Sequence, residues 1–123
     1  MSKENIKILY IDDDMNNGTL VKRVLEADGY LVLLAPNGTT GLSEAHRQTP
    51  DLILLDIYMP DINGHEVARR LRKSEDTKNT PILAVSASPN SDDKRLSLEA
   101  GCNGYISKPI DVDQISNQVA AYL

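Results

Sequence analysis

The stretch "DLILLD", from Asp51 to Asp56, decides the fold. Four aliphatic residues stand in a row between two aspartates, with no polar residue among them. A strand with one face in water alternates apolar and polar side chains, whereas a strand covered on both faces reads as an unbroken apolar run. Asp51–Asp56 is therefore expected to be an inner strand of a parallel sheet, and it ends on a carboxylate. Outward from it, the same kind of run appears as "IKILYI" (Ile6–Ile11), "YLVLL" (Tyr30–Leu34) and "PILAVSA" (Pro81–Ala87), with a shorter "GYIS" at Gly104–Ser107.

Helical patterns separate these runs. From Asn16 to Asp28, Leu20, Val21, Val24 and Leu25 are expected on one face, and Gly29 offers the left-handed conformation that closes helices. Gly38–Gln48 is a weaker helix with Leu42 and Ala45 inward. "IYMPDING" reads as a loop, marked by Pro60 and Gly64. His65–Lys73 places Val67, Ala68 and Leu71 together. Asp92–Ala100 has a poor apolar stripe and is closed by Gly101, with "SDDK" expected to cap it. Val112, Ile115, Val119 and Tyr122 line a last helix. Five repeats of strand then helix predict an α/β fold: a doubly wound, five-stranded parallel sheet with helices on both faces. No repeat, low-complexity segment or linker is visible, so residues 1–123 are expected to form one domain.

Composition narrows the function classes. Hydrophobic residues make up 41% and charged residues 25%, ordinary for a soluble globular protein. Phe and Trp are absent, so aliphatic side chains must build the core. A formal net charge of -5 argues against a dominant nucleic-acid-binding surface. Cys102 is the only cysteine, which excludes a disulfide framework; it reads as a small, partly buried thiol. "MSKENIKILYIDDD" carries no apolar segment of signal-peptide or membrane-spanning length. The expectation is a soluble, cytoplasmic protein with no membrane partner and no direct nucleic-acid partner.

In an open parallel sheet, ligands bind beyond the carboxyl ends of the strands, where strand order reverses. The first strand ends in Asp12, Asp13 and Asp14, the third in Asp56, the fourth in Ser86, and the fifth in Ser107, Lys108 and Pro109. If the order is 2-1-3-4-5, these groups share one rim. Hard divalent cations prefer carboxylate oxygens, and Mg²⁺ takes one or two carboxylates together with waters and phosphate oxygens. The acid pair would hold the metal, and Asp56 would attack a phosphoryl group to give an aspartyl phosphate. The metal and Lys108 would neutralise the phosphoryl oxygens, with Ser86 donating a hydrogen bond. Asp14 is expected instead to cap the first helix, with Asn16 competing for that task.

The segments "YIDDD", "DLILLDIYMPDINGHEV", "PILAVSA" and "GYISKPI", in that order and spacing, resemble the receiver domain of two-component response regulators. The resemblance covers nearly the whole chain. It implies a flavodoxin-like (βα)5 fold of order 2-1-3-4-5 and a Mg²⁺-dependent phosphoacceptor, not a multiple-turnover enzyme. Asp13 would ligate Mg²⁺ directly, Asp12 largely through water, and Asp56 would be both ligand and phosphoacceptor. The backbone carbonyl of Tyr58 would complete the protein's ligands. Ser86 matches the switch hydroxyl, Lys108 the catalytic lysine, and the Lys108-Pro109 bond is expected to be cis. Tyr105 matches the aromatic that turns inward when Ser86 moves, changing the face of fourth helix, fifth strand and fifth helix. A histidine kinase or histidine phosphotransfer protein would supply the phosphoryl group, and a downstream protein would read that face. If nothing follows the last helix, the output is such a contact or a phosphate relay. In receivers the positions of Tyr58 and Ser88 influence phosphoaspartate hydrolysis; neither residue carries a carboxylate or amide to orient water, so a persistent phosphoryl group is expected.

Other readings use the same residues. Asp12-x-Asp14 fits a haloacid-dehalogenase-type phosphatase, with Asp12 as nucleophile and Asp14 as acid, but there is little room for a cap domain. A flavin- or nucleotide-binding module needs a Gly- or Ser-rich phosphate cradle after the first strand, where three aspartates stand instead. A receiver-like module that binds partners without phosphorylation would not need Asp13, Asp56, Ser86 and Lys108 together. His46 and His65 receive no role, and Asp61 and Glu66 read as plain loop and helix-start charges.

Overall fold

The computed structural model describes residues 5–87 and 91–123, apart from the side chain of Ser91. Strands β1 (Lys7–Ile11), β2 (Leu31–Ala35), β3 (Leu52–Asp56), β4 (Ile82–Ser86) and β5 (Gly104–Ser107) alternate with helices. These are α1 (Met15–Ala27), α2 (Gly38–Gln48), α3 (Gly64–Lys73), α4 (Ser91–Ala100) and α5 (Ile115–Ala120). All strand pairs are parallel, and the order is β2-β1-β3-β4-β5, as expected.

The aliphatic runs are covered on both sides. Successive strand side chains point to opposite faces, so Leu9, Ile11, Ile53, Leu55 and Ile82 meet Ala45 of α2 and Val67, Ala68 and Leu71 of α3. Their neighbours Ile8, Tyr10, Leu52, Leu54, Leu83 and Val85 meet Val21 and Leu25 of α1 and Ile115 and Val119 of α5. Cys102 is buried, and burial pushes its thiol up to about 11, so it is packing material and not a ready nucleophile.

Several boundaries differ from the pattern. The N–H of Tyr30 turns back to the Leu25 carbonyl, so β2 starts only at Leu31, whose N–H reaches Ile6. Gly29 and Gly101 do close α1 and α4 with φ of 105° and 116°. Val21 and Leu25 of α1 are buried and Val24 packs against the core as expected, but Leu20 is exposed and Gly18 is buried in addition. Val112 and Tyr122 fall outside α5 and are exposed, leaving Ile115 and Val119 as its anchors. In α4 the buried residues include Asp93, Ser97 and Ala100, whereas Leu96 and Leu98 face outward. No helix among the described residues is long and apolar enough to cross a membrane.

Candidate functional site

The rim at the carboxyl ends of β1 and β3 collects charge. Tyr10 and Asp12 lie two residues apart, the spacing that puts both side chains on one side of a strand direction. The Tyr10 hydroxyl donates to Asp12 Oδ2 at 2.5 Å, and the N–H of Asp14 donates to Asp12 Oδ1 at 2.9 Å. Lys108 Nζ stands 3.4 Å from Asp12 Oδ2 and 3.4 Å from Asp56 Oδ1. Both carboxylates are almost fully buried.

This arrangement is electrostatically strained without a further cation. Burial, then the neighbouring Asp12 charge, pushes Asp56 up to about 7, while Lys108 works against the rise. Burial alone would lower the Lys108 ammonium, but the two carboxylates outweigh it and hold its pKa above the ordinary lysine value. Burial and the bond to Asp12 hold the Tyr10 phenol strongly protonated.

Asp12, Asp13 and Asp56 each offer an oxygen within 4.8 Å of the others. Opposite ligands of an octahedral Mg²⁺ stand about 4.2 Å apart, so the trio fits such an ion if one carboxylate acts through water. Asp12, whose two oxygens already accept from Tyr10 and Asp14, suits that indirect place. Asp13 is exposed and open to ligation. Asp14 stands apart: its carboxylate accepts from the N–H groups of Asn16 and Asn17 at 3.0 and 3.3 Å and caps α1.

The loop from Ile57 to Asn63 is held at both ends. The N–H of Gly64 donates to the Ile57 carbonyl at 2.8 Å. A Cβ on Gly64 would lie 2.5 Å from the carbonyl oxygen of Asp56 and 2.6 Å from Ile57 Cα, so only glycine lets α3 start this close to Asp56. Asn63 caps α3 by accepting from the His65 N–H at 2.8 Å. Asp61 is more than a loop charge. It accepts from the N–H groups of Gly38 and Thr39 and from the Thr39 hydroxyl, at 3.0, 2.9 and 2.9 Å. These bonds, the Thr39 N–H foremost, hold its carboxyl well below the usual range and tie the loop to the start of α2.

Other candidates take distinct places. Ser86 is buried at the end of β4, opposite Ser107 in register, and its carbonyl accepts from the Lys108 N–H at 2.8 Å. The Lys108–Pro109 bond is cis. Tyr105 is half-buried against the core on the side of α2, α3 and α4. The Tyr58 hydroxyl donates to Asp93 Oδ2 of α4 at 2.7 Å. His65 Nε2 lies 3.0 Å from Ser97 Oγ, while His46 pairs with Asp76 on the surface at 3.0 Å. Ser88 lies outside the described residues, as does part of the cap expected for α4; Asp93 of that "SDDK" run points to Tyr58.

Sequence reasoning missed Tyr10, Asp61 and Asp93. The period-two spacing of Tyr10 and Asp12 was a usable signal. Nothing local marks the other two, whose partners stand 22 and 35 residues away along the chain.

The family model for the response regulator receiver domain matches residues 8–120. The chain is 34% identical over 116 residues to the polar-differentiation response regulator DivK of Brucella anthropi, covering 94% of each protein. The same holds for DivK of Brucella ovis. Among solved structures, chemotaxis protein CheY4 of Vibrio cholerae matches with a TM-score of 0.92 at 27% identity, over 96% of this chain and 98% of that one. A two-component response regulator from Clostridium difficile matches with a TM-score of 0.90 at 26% identity, over 96% and 95%. The matched span takes in every strand end on the rim, and the chain belongs to the response regulator receiver family of two-component signalling.

Proposed function

We propose that residues 1–123 act as one receiver domain that accepts a phosphoryl group on Asp56 in the presence of Mg²⁺. The donor would be a phosphohistidine on a histidine kinase or histidine phosphotransfer protein in the cytoplasm. The meeting of buried Asp12 and Asp56 with half-buried Lys108 on one rim carries the reading. An Asp56 oxygen forms the new O–P bond as the P–N bond to the imidazole breaks. The bonding electron pair leaves on the imidazole nitrogen, and because the other ring nitrogen of the departing phosphohistidine carries a proton, the histidine leaves as neutral imidazole.

Asp12, Asp13, Asp56 and the Tyr58 carbonyl would hold the Mg²⁺. When bound, the ion supplies positive charge that lets a phosphoryl group approach three carboxylates. Lys108, already 3.4 Å from Asp56 Oδ1, pairs with a phosphoryl oxygen. Ser86 donates a hydrogen bond to another. Tyr10 keeps Asp12 oriented. Movement of Ser86 lets Tyr105 turn further inward, and a downstream protein reads the altered face of α4, β5 and α5. Membership of the receiver family supports a signalling switch and not a multiple-turnover enzyme. Tyr58→Asn, which adds an amide near the acyl phosphate, is expected to speed phosphate loss.

Acetyl phosphate with Mg²⁺ tests the reading. Intact mass and peptide mapping are expected to find one phosphoryl group on Asp56 and none in Asp56→Asn. Repeated phosphate release from small phosphomonoesters would instead favour the phosphatase use of Asp12 and Asp14.

A further inference from the structure

Helix α4 has an unusual hold on the body of the protein. Its buried side chains include Asp93 and Ser97, four residues apart and so on one face. Each is bonded to the segment that leaves Asp56: Tyr58 Oη donates to Asp93 Oδ2 at 2.7 Å, and His65 Nε2 lies 3.0 Å from Ser97 Oγ. Asp56 lies two residues before Tyr58, and β4 with its terminal Ser86 leads into α4. The first of these bonds therefore spans from the loop after β3 to the first turn of α4.

The Tyr58 ring is 55% exposed, so hydrophobic burial does little to hold it where it is. Its hydrogen bond to a buried carboxylate is the charge-assisted kind, and such bonds are the stronger class. We infer that Tyr58 is a positioning residue whose hydroxyl straps α4 to the phosphoacceptor loop, coupling the placement of α4 to events at Asp56. This rests on the phosphoacceptor reading above and adds a route that does not pass through Ser86 and Tyr105.

A bond that fits one placement of α4 stabilises that placement only. Its removal should shift the balance of placements by about five- to tenfold. By linkage, whatever the strap does to α4 it also does to the Asp56 loop.

Backbone hydrogen exchange in α4 reads the strap in the unmodified protein. Tyr58→Phe, which keeps the ring, and Asp93→Ala should each speed exchange in the first turns of α4 by about five- to tenfold. The double variant should add little to either single one. Asp93→Asn keeps an acceptor oxygen but loses the charge, so its exchange should fall between wild type and Asp93→Ala. After treatment with acetyl phosphate and Mg²⁺, the change in α4 exchange per phosphoryl group should shrink in Tyr58→Phe. That last readout would not move if Tyr58 were only a structural prop. Unchanged α4 exchange in Tyr58→Phe, additive effects of the two substitutions, or a full phosphorylation response in Tyr58→Phe would overturn the inference. A wild-type chain that takes no phosphoryl group would remove the phosphoacceptor reading, while exchange in the unmodified variants would still decide whether the strap exists.

Discussion

Helices α3 and α4 are neighbours on one side of the sheet and ten residues long each, yet they are held differently. Helix α3 sinks Val67, Ala68 and Leu71 into the core, and it carries a side-chain cap and basic residues in its last turn that suit the helix dipole. Helix α4 buries Asp93, Ser97 and Ala100 and turns Leu96 and Leu98 outward. Apolar burial is non-directional and tolerates small shifts. Hydrogen bonds are directional and are lost once geometry fails. A helix held by the second means is suited to have two placements, and a helix held by the first is suited to stay. Under the function proposed above, the contrast suits α3 to the frame and α4 to the switch.

The contrast can be broken or sharpened by substitution. Leu71→Ala should cost the whole fold about 2 to 5 kcal/mol, read from urea denaturation, because it empties a fully buried site. Asp56→Asn should act in the opposite direction. Burial and Asp12 raise Asp56 from 3.8 to about 7, so the folded state favours the protonated carboxyl. The stability tied to that proton is fully present below pH 3.8 and is lost as pH rises through about 7. In metal-free buffer Asp56→Asn should therefore stabilise the protein by about 1 to 3 kcal/mol at pH 8, and by much less at pH 5. Equal gains at both pH values would remove the charge explanation.

Ser97→Ala should cost about 0.5 to 1.5 kcal/mol. Its faster hydrogen exchange should be confined to α4, since the lost partner is one bond to His65. Leu96→Ala and Leu98→Ala should change stability by no more than about 0.5 kcal/mol. A loss as large as that of Leu71→Ala at either position would mean that α4 is seated like α3.

Much of this was legible before any coordinates. "DLILLD" reads as a doubly covered strand because its apolar residues do not alternate, and β3 is buried throughout. Parallel strands follow from the unbroken apolar runs, whereas their order, on which the shared acidic rim depends, was implied by the resemblance to receiver domains. The split of the aspartate triplet was legible too, since a carboxylate just before a helix is a natural cap, as Asp14 is. Less visible were the places where a hydrogen bond overrode periodicity. Tyr30 reads as a strand residue until its N–H is seen closing α1. Val112 and Tyr122 keep helical spacing but lie outside α5. The Asp61 clamp and the Tyr58–Asp93 bond join segments far apart in the chain, and spacing within one segment says nothing of a partner in another.

Backbone hydrogen exchange in α3 and α4, followed while acetyl phosphate and Mg²⁺ are added, is the decisive test of a movable α4. Exchange is expected to change in α4, to stay fixed around Leu71 in α3, and to change in neither helix of Asp56→Asn. An unaltered α4 in protein shown by mass to carry the phosphoryl group, or the same alteration in Asp56→Asn, would contradict it.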